Sequence, residues 1–203
     1  MTGIRWRSLL LTVALVCLFS GFAYANFLRW QETGHPVGLG AVFLEGMTAL
    51  LFVVRRPPKE TSGHWLAWVS APVGAFAMLL ARPVENPNDG PFWLFEILQL
   101  GGFALALAAL GFLGRSFGIV AAVRQVKTSG LYSFVRHPAY AAYLLSYSCY
   151  VAESPTARNL GLFLLSTAGQ LVRIREEERV LGRDPTYRHY QVRVRYRLVP
   201  FLY

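Results

Sequence analysis

Six apolar segments constrain the fold of this chain more than any other feature. An α-helix needs about 20 residues to cross a hydrocarbon core ~30 Å thick, and the first four segments approach or meet that length. Of all residues, 54% are hydrophobic and 15% are charged, whereas soluble domains carry about a quarter charged residues. The sequence therefore predicts an all-α, polytopic transmembrane helix bundle with about six spans. The segments cover residues 9–28, 38–54, 65–80, 92–113, 139–151 and 159–172.

The last two segments are shorter than the others, and only residues 152–158 separate them. This spacing predicts a short C-terminal helical hairpin. Its polar side chains favour packing against protein or against a cavity, although hydrogen bonds between helices would satisfy them equally well. These side chains are Tyr140, Tyr143, Ser146, Tyr147, Ser148, Ser166, Thr167 and Gln170.

The basic residues predict the orientation of the bundle, because cytoplasmic loops of membrane proteins are enriched in Lys and Arg. With six spans, all but three of the 20 Lys and Arg residues fall on one side, and the exceptions are Arg29, Arg82 and Arg158. We therefore expect both termini in the cytoplasm. This placement explains the net charge of +9 better than a nucleic-acid-binding face does, so we expect no nucleic-acid partner.

The N-terminal segment has a second interpretation. Arg5 and Arg7 precede it, and Ala23-Tyr24-Ala25 lies near its end, which is also the pattern of a cleaved signal peptide. Because the apolar stretch continues to about Phe27, it is long enough to span, and we expect a transmembrane helix. Residues 1–203 then form a single membrane domain, with four helices in residues 1–113.

Two polar blocks lie directly against apolar segments and are the strongest candidates for a functional site. The first, residues 126–140, contains Arg136-His137-Pro138. Pro is favoured in the first turn of a helix, which places Arg136 and His137 at a helix N-terminus, where free N–H groups favour an anionic group. A positive anchor and a capping histidine would give the same pattern without any ligand.

The second polar block, residues 173–181, places three consecutive glutamates, Glu176 to Glu178, among arginines. Successive side chains of a helix point about 100° apart, so one glutamate can face inward while another pairs outward. A solvated face with ion pairs along the helix is the alternative. Helical spacing extends this helix to about Leu181, and Asp184-Pro185 ends it. The tail, residues 187–203, is expected to lie along the membrane interface.

Several classes of enzyme are excluded by their missing motifs. The sequence has no Gly-rich fingerprint after a strand, no Walker sequence and no HExxH. Its two cysteines, Cys17 and Cys149, each lie inside an apolar segment, and no His or Cys stands at ligand spacing from them. We expect buried thiols and no metal site.

In their order and spacing, the motifs of the second half resemble the isoprenylcysteine carboxyl methyltransferase family, whose general pattern phospholipid N-methyltransferases share. The resemblance covers about residues 114–201, and the first four segments are similar only in being hydrophobic. Where the family usually has Gly two residues after the position of Tyr140, this chain has Ala142. Its methyl group is expected to narrow the approach of the backbone to a cofactor. The matching residues are Thr128 to Tyr132, Arg136 to Tyr140, Glu177, Glu178, Leu181, Tyr187, Tyr190, Arg193 and Pro200.

What the resemblance implies is an integral-membrane enzyme that uses S-adenosylmethionine, with residues 114–203 supplying the cofactor-binding loop, the helical hairpin and the tail. Arg136 and Arg193 match family arginines near the reacting carboxylate and are the implied catalytic residues. The two glutamates would hold the ammonium or ribose of the cofactor, or brace its pocket. The implied cofactor-binding residues are Tyr132, His137, Pro138, Tyr140, Glu177 and Glu178.

The reaction implied by the resemblance is methyl transfer to a lipophilic acceptor, by in-line displacement at the cytoplasmic membrane face. A carboxylate is the leading acceptor that the resemblance implies, and this group is already ionised at neutral pH. A lipid amine or thiol acceptor, or a non-catalytic membrane protein with a degenerate site, are the alternatives. The expected partners are the bilayer and a lipid or lipophilic substrate. The size and short loops favour a prokaryotic inner-membrane protein.

Overall fold

The structure is a computed structural model that describes residues 2–58, 60–84 and 92–203. Within them the chain is predominantly helical, which confirms the all-α prediction. Lys59, which the orientation prediction counts, lies outside the described residues, as do the side chains of Arg5 and Arg7. The helices are α1 (Thr2–Thr33), α2 (Pro36–Val54), α3 (Trp65–Phe76), α4 (Phe92–Leu113), α5 (Pro138–Glu153), α6 (Ala157–Leu181) and α7 (Pro185–Arg193).

Among the described residues, three helices have the length and composition to cross a membrane. The apolar stretches are Ser8–Thr33 in α1, Pro36–Val54 in α2, and Trp93–Ser116, which runs from α4 into the 3₁₀ turn after it. Helix α3, which contains Pro72, continues as a 3₁₀ turn over Ala77–Leu80. Even with this turn, the apolar element is shorter than the other three. The chain is a membrane protein, and the count of six spans stays a prediction for α3, α5 and α6.

The helices pack in two groups. Helix α1 packs on α2, α2 on α4 and α4 on α5, whereas α6 packs on α3. Helices α5 and α6 are joined by only three residues, but each packs mainly against its own group and little against the other. The predicted hairpin is therefore open, and the space between the two groups becomes a cavity.

The contact between α3 and α6 is closest at Gly74 and Gly169. A Cβ atom at Gly169 would lie 2.7 Å from the backbone nitrogen of Gly74, which is too close for any larger residue. Ser166, one turn earlier, donates its hydroxyl hydrogen to the Gly74 carbonyl at 3.0 Å. Because α6 also contains the second polar block, this contact fixes the depth of that block in the bundle.

One end of the bundle gathers the basic loops. Strands β1 (Glu60–Thr61) and β2 (Ala122–Val123) pair antiparallel, and the Arg56 amide donates to the Arg115 carbonyl at 2.8 Å. Arg183, just after α6, pairs with Glu60. The loops after α2, after α4 and after α6 thus meet at one end, as the distribution of Lys and Arg predicted, and which side of the membrane this end faces stays a prediction.

The C-terminal tail contains a helix that its sequence pattern did not indicate. Helix α6 ends at Leu181 as predicted, and the Asp184 carboxylate accepts a hydrogen bond from the Thr186 amide at 2.8 Å to cap α7. After α7 the chain folds back, so that the Arg136 amide donates to the Tyr196 carbonyl at 2.9 Å. The tail is therefore part of the structure around the first polar block.

Candidate active site

The two polar blocks meet where α5 begins. Pro138 is the first residue of α5, as predicted, and places Arg136 and His137 immediately before the helix. The glutamates of the second block lie in the last turns of α6, opposite them. Together they form a polar cluster that consists of Arg136, His137, Tyr140, Glu177 and Glu178.

Glu178 is the anchor of the polar cluster. Its Oε1 accepts a hydrogen bond from Arg136 Nε at 2.7 Å and lies 3.2 Å from His137 Nε2, while Oε2 accepts from Arg197 Nε at 2.8 Å. Burial of the carboxyl would raise its pKa, but hydrogen bonds from His137, Arg136 and Arg197 outweigh burial and lower the pKa of Glu178 to about 2. The side chain is therefore a carboxylate throughout the physiological pH range.

Arg136 connects Glu178 to the C-terminal tail. Besides the bond from Nε, its Nη1 donates to the carbonyls of Val194 and Arg195, each at 2.8 Å. A guanidinium has five N–H donors, and these contacts use the three on Nε and Nη1. Within the described residues, no hydrogen bond from the two donors on Nη2 is seen, so they can bind a ligand.

Glu177 faces in a different direction from Glu178, as the 100° rotation per residue predicted. Its Oε1 accepts hydrogen bonds from the Tyr140 hydroxyl at 2.5 Å and from Arg173 Nε at 3.2 Å. Arg173 also donates to the Gly118 carbonyl at 2.8 Å, and its guanidinium lies 5.0 Å from the centre of the Tyr140 ring. A carboxylate and a guanidinium thus lie side by side next to an aromatic ring.

A cavity of about 1380 Å³, including its space open to solvent, lies between the two helix groups. The polar side chains that line it come from both blocks and from the loop after α4. Apolar side chains of α1, α2 and α4 line it elsewhere, including Phe19, Leu44 and Leu110. Its lining includes the predicted site residues Tyr132, Arg136, His137, Tyr140 and Glu177.

The other three predicted residues lie outside the lining. Pro138 is buried at the start of α5, and Glu178 is buried behind His137 and Arg136. Arg193 is exposed and is the last residue of α7. Its catalytic role stays a prediction, and the arginine that contacts the polar cluster from the tail is Arg197.

Three tyrosines close one wall of the cavity. Gly130 has a φ of 62°, a left-handed conformation that favours glycine, and starts the 3₁₀ turn that buries Tyr132. The Tyr190 hydroxyl donates to the Tyr132 carbonyl at 2.6 Å. The Tyr187 hydroxyl is buried and has no hydrogen-bond partner among the described residues, and burial raises the pKa of Tyr187. It is therefore a neutral donor available to a ligand.

Some lining residues were missed from the sequence. Arg173 is not among the predicted site residues, although its position at the end of an apolar segment is a signal of a buried, functional charge. Glu45, a lone acid inside the second apolar segment, was a similar signal. The cavity is also lined by Ser116, Arg124, Lys127, Tyr187 and Tyr190.

The polar side chains of α5 and α6 take both of the roles considered for them. Tyr140, Tyr143, Tyr147 and Gln170 line the cavity. Ser146 and Ser166 instead donate hydrogen bonds to backbone carbonyls of neighbouring helices, those of Gln99 and Gly74. Spacing alone did not separate these roles, because polar side chains that line a cavity and those that bond to a neighbouring helix both lie on protein-facing sides of a helix.

Ala142 does not line the cavity. It is fully buried in the core between α4 and α5, in one cluster with Ala106 and Leu110, and it is not among the cavity-lining residues. Its methyl group is accommodated against α4. The structure therefore gives no support to the expectation that Ala142 narrows a cofactor pocket.

Comparison with known protein families agrees with the motifs. Residues 96–183 match the model of the isoprenylcysteine carboxyl methyltransferase (ICMT) family. This part of the chain is similar to the ICMT family. The match includes both polar blocks and confirms the resemblance, and ICMT is a family of methyltransferases. Searches of curated proteins and of solved structures found no match.

The cavity lining has the donor and acceptor groups that S-adenosylmethionine requires. This cofactor has an ammonium, a carboxylate, ribose hydroxyls and an adenine ring. Glu177 offers a carboxylate to the ammonium or hydroxyls, and Arg173 offers a guanidinium to the carboxylate. The hydroxyls of Ser116 and Tyr187 are buried in the cavity wall without partners among the described residues. Unpartnered buried hydroxyls are costly unless a ligand or water satisfies them, so the residues present fit the cofactor.

Proposed function

We propose that this protein is an integral-membrane methyltransferase that transfers a methyl group from S-adenosylmethionine to a lipophilic acceptor, with a carboxylate as the leading acceptor. The observation that supports this most is the continuity of one cavity. The two ICMT polar blocks line part of it, and apolar side chains of membrane-spanning helices line the rest. A polar cofactor and a lipophilic acceptor can therefore meet in the same space.

Within this proposal, Glu177 and Arg173 bind the charged groups of the cofactor, and Glu178 holds Arg136 and His137 in place. The cofactor, when bound, supplies a methyl group already activated on a sulfonium. The protein must then align the acceptor and exclude water. Burial of Tyr132 and its hydrogen bond from Tyr190 provide part of that exclusion.

Arg136 is the proposed residue for positioning an acceptor carboxylate. It lines the cavity, and its Nη2 donors are not used by Glu178 or by the tail carbonyls. An N–H group on Nη2 can donate a charge-assisted hydrogen bond to one oxygen of the acceptor carboxylate. Arg193 is proposed to assist, as the family pattern implies, from its exposed position at the end of α7.

The proposed topology has six spans, with the polar cluster and both termini on the cytoplasmic side of a prokaryotic inner membrane. The clustering of basic loops at this end supports the orientation. Cofactor would then enter from the cytoplasm, and the acceptor would enter from the bilayer.

Isothermal titration of the full-length protein in nanodiscs with S-adenosylmethionine tests the proposal. We expect saturable binding by the wild type and at least tenfold weaker binding, about 1.4 kcal/mol, by Glu177→Gln. Glu60→Gln is the matched control, because Glu60 pairs with Arg183 outside the cavity lining, and we expect its affinity to be unchanged. Folded wild-type protein that does not bind would contradict the proposal.

A further inference from the structure

Glu45 is an acidic residue in the middle of the apolar helix α2. It lies outside the region that matches the ICMT family, and it is only 8% exposed. It lines the same cavity as the polar cluster. Ionisable side chains at membrane depth are expensive, and they often mark substrate pathways.

The contacts of Glu45 satisfy one of its two carboxyl oxygens. Asn26 of α1 donates to Oε1 at 3.4 Å, and the same Asn26 nitrogen donates to the Phe22 carbonyl at 3.0 Å. Oε2 is buried and has no hydrogen-bond partner in the described part of the chain. A purely structural contact between α1 and α2 would explain Oε1 but leaves Oε2 without a donor.

Glu45 lies deep in the cavity relative to the polar cluster. It stands nine residues before Val54, the last residue of α2, which corresponds to about 14 Å at 1.5 Å per residue. Tyr147 stands nine residues after Pro138 on α5, at a similar depth, and it interacts electrostatically with Glu45. Thr48, one turn from Glu45, donates its hydroxyl hydrogen to the Leu44 carbonyl at 2.8 Å. The Thr48 hydroxyl oxygen can therefore also accept a hydrogen bond.

We propose that Glu45 recognises a hydrogen-bond donor, a hydroxyl or an amine N–H, on the apolar part of the methyl acceptor. This role of Glu45 deepens the proposed function, and it rests on that function because it takes the cavity to be the binding site of the methyl acceptor. The acceptor is then an amphiphile whose reacting group lies at the polar cluster and whose second polar group lies about 14 Å away. A plain hydrocarbon chain would leave Glu45 Oε2 unpaired.

The test is a binding measurement with octadecanoate and a set of octadecanoates that each have one hydroxyl group at a successive chain position. Thermal unfolding of the full-length protein in detergent is followed against the concentration of each compound. We expect the wild type to bind one hydroxyl position, or two adjacent ones, about tenfold more tightly than octadecanoate, which is about 1.4 kcal/mol.

Glu45→Leu removes both oxygens and should abolish this preference while octadecanoate still binds. Glu45→Gln, which keeps the side-chain size and an acceptor for Asn26, is the second variant and should weaken the preference. Glu96→Gln is the matched control, because Glu96 binds His35 at 3.0 Å and does not line the cavity. It should retain the wild-type preference.

A wild-type protein without any preference for a hydroxyl position, or a Glu45→Leu variant that keeps the preference, would overturn the proposal. The measurement requires neither S-adenosylmethionine nor turnover. Methyl transfer to membrane lipids tests the proposed function separately. Turnover with no hydroxyl preference would therefore remove the role of Glu45 alone.

Discussion

Replacement of Glu178 by Gln should destabilise the protein more than replacement of any exposed glutamate. Glu178 accepts hydrogen bonds from the buried Arg136 and from Arg197 and contacts His137. The neutral amide of Gln weakens these interactions, and its NH₂ group faces the N–H donors of the arginines instead of accepting hydrogen bonds from them. Breaking a buried ion pair typically costs about 3–5 kcal/mol.

The pKa of Glu178 gives an independent magnitude. The structure lowers this pKa from 4.5 to about 2, and one pKa unit corresponds to 1.36 kcal/mol. The charged form is therefore stabilised by roughly 3 kcal/mol relative to the neutral form. For a chain of this length, that loss corresponds to a decrease in Tm of about 6–12 °C.

Thermal unfolding in detergent, followed by circular dichroism, measures this decrease. Glu60→Gln serves as the control, because Glu60 and Arg183 are both exposed, and such pairs contribute about 1 kcal/mol or less. Equal Tm values for Glu178→Gln and Glu60→Gln would refute the assignment of Glu178 as the anchor of the polar cluster.

Three further predictions follow from individual residues. The Tm difference between wild type and Glu178→Gln should be constant above about pH 4.5 and disappear as the pH falls towards about 2, because a lowered pKa stabilises only the ionised carboxylate. A Tm difference that persists at pH 2 would contradict this pH dependence. Ala142→Gly should leave the Kd for S-adenosylmethionine within about twofold of the wild-type value, whereas Ala142→Leu should lower stability by about 1–3 kcal/mol through overpacking. A large effect of Ala142→Gly on this Kd would place Ala142 in the cofactor pocket. Arg193→Ala should lower kcat/KM for the acceptor by about tenfold, an effect of about 1.4 kcal/mol, whereas Arg195→Ala, at a residue that is also exposed, should not lower it. Equal kcat/KM values for the two variants would remove Arg193 from the site.

Local rules in the sequence predicted where helices begin and end around the site. Pro138 starts α5, because its fixed φ suits the first turn of a helix, where a backbone N–H group would have no partner within the helix. Leu181 ends α6, because Asp184-Pro185 cannot continue it. The rotation of 100° per residue predicted that neighbouring glutamates face different ways, but not that Glu177 lines the cavity and Glu178 does not. These features depend on residues close together in the chain.

Features that depend on distant packing were not predictable in the same way. In a membrane helix the lipid-facing and protein-facing sides are both apolar, so hydrophobic periodicity does not show which side of α2 lines a cavity. Glu45 was therefore missed, and the divergence of α5 and α6 follows only from their separate contacts with α4 and α3. Arg197 reaches Glu178 because the chain reverses after α7, a reversal without a local signature in the sequence.

Incubation of the full-length protein in nanodiscs with S-adenosylmethionine radiolabelled on the methyl group and with a total membrane lipid extract tests the central claim most directly. We predict a labelled lipid whose label is released as volatile methanol by mild base, the behaviour of a methyl ester. A base-stable label would identify an amine or thiol acceptor and contradict the carboxylate assignment. Cofactor binding without any labelled lipid would contradict catalysis itself.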